Sequence, residues 1–257
     1  MIKYFFLLAL FLSSSVATAE TDNWQTAKST HFIVYYKNAP EAFIKELIDR
    51  SEGYYNKITE DLGFIRYDFW LWDKRARIYI YDDAKDYQLA TGQPGWSAGL
   101  ASIKEKIIRT FPYALGFFET VLPHEMGHII FREFVGLNNY AIPLWLEEGL
   151  ASYQEKSKYK LCDKVVKEAI AQNKFINLSQ LSNLDPYLMN SQEEVGLFYS
   201  EAFSVIDFLI KEFGKESFVL FCQNLRDKKN MEKAIASTYS FSSLRELNDA
   251  WLKYLTP

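Results

Sequence analysis

The chain has 257 residues, 29 of them basic and 33 acidic for a formal charge of −4, with 49% hydrophobic and 17% aromatic content. A mildly acidic chain with no basic block argues against nucleic acid or an anionic membrane surface as a partner. The apolar content suffices for one large domain or two intimately packed lobes without help from a disulfide.

In chain order, Met1 to Ala19 reads as a secretory signal: a lone Lys3, an apolar run from Tyr4 to Leu12, a serine-rich stretch and Ala17-Thr18-Ala19 as an A-x-A cleavage site. The run is well short of the roughly 20 apolar residues a membrane span needs. The expectation is an exported protein, periplasmic or secreted, whose mature part is residues 20–257, with no stable membrane insertion. His31 to Lys37 and Ala76 to Tyr81 are rich in β-branched and aromatic residues and read as strands. Between them, Pro40 to Leu62 carries apolar residues at helical spacing and ends at Gly63, so the chain opens β-α-β. Gly92-Gln93-Pro94-Gly95 breaks the chain, and Ser97 to Thr110 reads as one or two strands around Lys104-Glu105-Lys106.

From Phe117 onward the pattern is almost wholly helical. One helix runs from Phe118 to Phe134, with Pro123 near its first turn, where a missing N–H is tolerated. A second opens at Pro143. Further helices are expected over Cys162 to Gln172, Glu193 to Phe213, Lys215 to Arg226, Met231 to Ser237 and Ser242 to Tyr254. Cys162 and Cys222 are the only cysteines. They can either pair, worth roughly 4 kcal/mol on the chain-entropy model, or stay as two buried thiols in apolar helices. There are no repeats or low-complexity linkers. The fold class is therefore α+β: a small mixed-sheet lobe over residues 20–116, a helical lobe over 117–257, and a cleft between them.

The chemistry concentrates in His124-Glu125-Met126-Gly127-His128. Two histidines four apart on a helix present both imidazoles on one face, where they can share one Zn²⁺. Catalytic zinc normally takes three protein ligands and a water. The only other histidine is His31, far upstream in a segment that reads as a strand, and a metzincin is excluded because Phe131 and Phe134 hold the positions of its glycine and its third histidine. A carboxylate is the economical third ligand, and Glu148 in Leu144-Trp145-Leu146-Glu147-Glu148-Gly149-Leu150-Ala151 is the natural one. Glu125, between the histidines, then points at the metal's water as a general base. Gly149 beside the ligand is expected to let the histidine helix and the Glu148 helix approach closely.

These residues resemble the gluzincin metallopeptidases, the thermolysin and aminopeptidase N superfamily or peptidase MA clan, including small secreted "peptidase MA-like" proteins. His124, Glu125 and His128 match the HExxH signature, and Trp145 to Ala151 matches a WLxEGxA segment whose glutamate before the glycine is the ligand. That selects Glu148 over Glu147. The resemblance implies a zincin-like fold holding one zinc ion. It also implies that Tyr199, in Phe198-Tyr199-Ser200-Glu201-Ala202-Phe203, is the tyrosine that stabilises the oxyanion, and that Trp96 to Ala101 is a strand binding substrate by strand addition. No glutamate stands in that segment to hold a free amino terminus, which leans toward an endopeptidase. An aspartate expected four residues past the ligand is replaced by Ser152, leaving Glu155 or a backbone carbonyl to orient a ligand histidine. The expected activity is zinc-dependent hydrolysis of a peptide or protein substrate. The alternatives are a catalytically silent peptide- or envelope-binding module and a metal-dependent amidase on a non-peptide substrate.

Overall fold

The computed structural model describes residues 24–64, 70–95, 97–155 and 159–256; the signal segment and Trp96 lie outside them. The described residues fall into two compact units, 24–55 with 70–125, and 56–64 with 126–256. As the order of strand and helix patterns along the chain predicts, a small mixed sheet precedes a mostly helical part.

In the first unit, β1 (Gln25–Lys28), β2 (Phe32–Tyr36), β3 (Ala76–Ile80), β4 (Leu100–Ser102) and β5 (Ile107–Thr110) form a sheet in the order β1-β2-β3-β5-β4. β2, β3 and β5 are parallel, and the edge strands β1 and β4 are antiparallel to their neighbours. Parallel β2 and β3 need a crossover, and α1 (Glu41–Asp61) supplies it. Alternation sorts the faces. Phe32, Val34, Ile78, Ile80 and Ile108 are buried on one, while Tyr35, Tyr79 and Arg109 stand in register on the other. His31 immediately precedes β2, and its Nδ1 is 2.6 Å from Glu52 Oε2 while its ring stacks on Tyr55. Its role is to fasten strand to helix.

Two elements of this unit escape the sequence reading. β1 is a polar edge whose four residues are mostly exposed, so no apolar alternation marks it. α2 (Ala84–Thr91) buries only Tyr87 and is defined by its ends, where the Asp83 side chain accepts from the Asp86 amide and Gly92 closes the helix in a left-handed conformation. Of the one or two strands expected within Ser97 to Thr110 there are two, β4 and β5, paired as a hairpin.

A π-helical turn, Phe117–Val121, runs directly into α3 (Leu122–Val135), so the helix expected from Phe118 starts in that wider turn. Pro123 stands second in α3, where no amide is needed. In the second unit α4 (Leu144–Tyr153) is buried from Trp145 to Ser152. Around it come α5 (Tyr159–Ala171), the short α6 (Leu178–Leu181), the long α7 (Gln192–Lys228), α8 (Met231–Thr238) and α9 (Leu244–Leu255). α7 breaks at Gly214, whose φ of 82° and ψ of 162° lie outside the helical region, so the two helices read from the sequence meet end to end there. Cys162 and Cys222 form no disulfide and are buried thiols, and burial pushes the Cys222 thiol well up. Among the described residues no helix is long and apolar enough to cross a membrane.

The close approach expected at Gly149 is made with α7, not with α3: α4 and α7 touch there at backbone distance. A Cβ at Gly149 would sit 2.3 Å from the Ala202 carbonyl oxygen and 3.1 Å from Ile206 Cγ1. A methyl group there forces the helices apart, and overpacking of this kind costs about 1–3 kcal/mol. Gly149→Ala should therefore lower the urea unfolding midpoint of the metal-free protein by an amount equivalent to that loss. Unaltered unfolding would mean that the two helices separate without penalty.

Candidate metal centre

α3 carries His124, Glu125 and His128, and α4 carries Glu147 and Glu148. All five side chains are buried; His128 and Glu148 are wholly so. His124, His128 and Glu148 each offer one ligand atom, and these atoms lie within 4.8 Å of one another. His128 Nε2 lies 3.6 Å from Glu148 Oε2. Ligand bonds of zinc length meeting at a tetrahedral angle place two donor atoms about 3.4 Å apart, so the spacing suits a shared ion. The energetics agree. A fully buried carboxylate costs several kcal/mol unless an opposite charge compensates it, and a divalent cation held by these donors would supply that charge.

The consecutive glutamates of α4 face different atoms of the same imidazole. Glu148 Oε2 lies toward Nε2 of His128, and Glu147 Oε1 lies 3.7 Å from Nδ1. Glu147 is itself fixed by a two-pronged pair from Arg132, one turn beyond His128 on α3: Nε donates to Oε1 at 2.8 Å and Nη2 donates to Oε2. Arg132 Nη1 also donates to the Asn139 carbonyl. The buried Asn139 amide donates to the carbonyls of Val135 and Leu225 at 3.2 Å each, which ties the α3–α4 connection to α7. Glu155, the alternative read from the sequence, is buried two residues past the end of α4, and Glu147, set aside in the sequence reading, is the carboxylate that backs the imidazole. Its signal in the sequence was only its place beside Glu148.

Tyr199 comes to the same place from α7, sharing hydrogen bonds with Tyr187 and Glu148. Burial raises its phenol well above the usual value, and the charge of Glu148 adds to the effect. Tyr187, absent from the sequence reading, lies on the 3-10 turn Pro186–Leu188, and its hydroxyl donates to Glu148 Oε1 at 3.2 Å. The available signal was Asp185-Pro186, an N-cap and a helix-opening proline, which marks a turn and says nothing of where the tyrosine points.

Glu125 is 2% exposed. The Tyr87 phenol is pushed up to about 12, by burial first and with a contribution from the charge of Glu125; its hydroxyl is 2.8 Å from Ser97 Oγ, which in turn donates to the Gly99 carbonyl. The segment read as a substrate-binding strand ends in β4, an edge strand of the sheet. Gly99 spends its missing side chain on the π-helical turn, since a Cβ there would lie 2.9 Å from Val121 Cγ1.

A small mixed sheet followed by helices, with a histidine pair on one helix and a carboxylate from the next, defines a metallopeptidase-type architecture. The sequence model of the peptidase MA superfamily matches residues 72–257, and the chain belongs to that superfamily, in its gluzincin-type clan. The match begins at Trp72, after β2 and α1. No curated protein matches the chain.

Because Glu147 backs His128, Glu147→Gln should weaken divalent-metal binding by about 10–100-fold, read by competition with a chromophoric chelator. Metal affinity equal to the parent's would leave the Arg132–Glu147 pair a purely structural tie.

Proposed function

We propose that the chain is an exported zinc-dependent endopeptidase, with residues 20–257 forming one peptidase domain after cleavage near Ala19. The observation that carries this reading is the convergence of His124, His128 and Glu148 within 4.8 Å, with Glu125 buried on the same helix between the two histidines. Two imidazoles and one carboxylate are a catalytic zinc donor set, and three protein ligands leave a coordination position open.

When bound, zinc supplies a Lewis acid that polarises the scissile carbonyl and makes water acidic near neutral pH. His124 and His128 bind as neutral imidazoles and Glu148 as a carboxylate. Glu125 takes the proton of the attacking water and returns it to the leaving amine. Tyr199 donates a hydrogen bond to the oxygen on which negative charge develops. Its high proton affinity keeps that donor protonated at neutral pH. The segment Ser97 to Ala101 contains no carboxylate to hold a free amino terminus, which favours internal cleavage.

The test is metal analysis of the mature protein together with cleavage of a diverse peptide library, with and without a zinc chelator. Stoichiometric zinc and chelator-sensitive internal cuts are expected. Glu125→Gln should keep its zinc while losing about 10²–10⁴-fold in turnover. Unchanged turnover in that variant removes Glu125 as the base. Zinc without cleavage of any peptide would instead support a binding module on the same fold.

A further inference from the structure

The two oxygens of Glu148 have different surroundings. Oε1 accepts a hydrogen bond from the Tyr187 hydroxyl at 3.2 Å, and Oε2 faces His128 Nε2 at 3.6 Å. We infer that Tyr187 is a positioning residue that holds Oε1 and thereby makes Glu148 a one-oxygen ligand through Oε2. This rests on the metal reading above and adds to it the atom that binds and the residue that selects it.

The physical argument begins with the carboxylate itself. A glutamate can meet a divalent ion through one oxygen or both, and the choice sets how many positions remain for water and substrate. A donor fixed on one oxygen opposes the two-oxygen mode, because that mode would draw Oε1 away from its hydrogen bond in a buried setting, where an unmade hydrogen bond costs about 1–3 kcal/mol. Tyr187 is well placed to hold that bond. Its turn opens at Asp185, whose side chain accepts from the Tyr187 amide at 2.9 Å, and proceeds through the buried Pro186. The Met189 amide closes it on the Pro186 carbonyl. Tyr199, bonded to both Tyr187 and Glu148, braces the phenol from α7. The connection before the turn is also anchored, since Trp145 Nε1 of α4 donates to Ser182 Oγ at 2.9 Å.

The test is cobalt substitution of the full mature chain and its Tyr187→Phe variant, which keeps the ring and removes only the hydroxyl. The parent should take up one Co²⁺ and show the intense visible bands of a four-coordinate site. In Tyr187→Phe those bands should lose intensity as Glu148 adds its second oxygen, and Co²⁺ affinity should fall about tenfold or more as the preset orientation is lost. Thermal unfolding of the two metal-free proteins separates this from misfolding. If the variant is folded and has the parent's spectrum and affinity, the assignment is overturned, whatever happens to its turnover. A parent that takes up no Co²⁺ would overturn the metal reading, and this inference with it.

Discussion

Two adjacent carboxylates on a fully buried helix are the constraint around which this protein is organised. α4 is enclosed from Trp145 to Ser152, so Glu147 and Glu148 both sit where an uncompensated charge is untenable. The chain resolves them differently. Glu147 has an internal cation in Arg132, bonded through both of its oxygens. Glu148 has a phenol on one oxygen and an imidazole facing the other, an arrangement that could hold an external cation.

The surrounding architecture follows from holding that helix in place. Gly149 lets α7 approach to backbone distance, and α7 in turn carries Tyr199 to Glu148. The connection between α3 and α4 is fixed by Arg132 and Asn139, which bond to its backbone and to α7. Gly149 beside Glu148 and Asn139 in the loop therefore serve the same end: they limit how far the imidazole of His128 and the carboxylate of Glu148 can drift apart. Preorganisation of this kind is what separates a site from a cluster of compatible side chains.

Helices were the most legible part of the chain. Long amphipathic runs such as those of α1 and the two halves of α7 announce themselves through apolar periodicity, and Gly214 marks the break between those halves. β1 and α2 stayed hidden because they bury little: one is held by backbone pairing at a sheet edge and the other by its caps. The cysteines could not be sorted from sequence, since pairing depends on distances between α5 and α7 that no local pattern encodes; the fold leaves both as buried thiols.

The spacing of His124, Glu125 and His128 determined by itself that two imidazoles share one helical face, because helical periodicity is a local property. The segment around Glu148 was legible through its resemblance to a family motif. Tertiary structure alone decided what surrounds those groups. Arg132 meets Glu147 across 15 residues of chain, and Tyr187 meets Glu148 across 39. Neither pairing leaves a trace in composition or period, since each depends on how separate elements pack and on the need of a buried carboxylate for a donor.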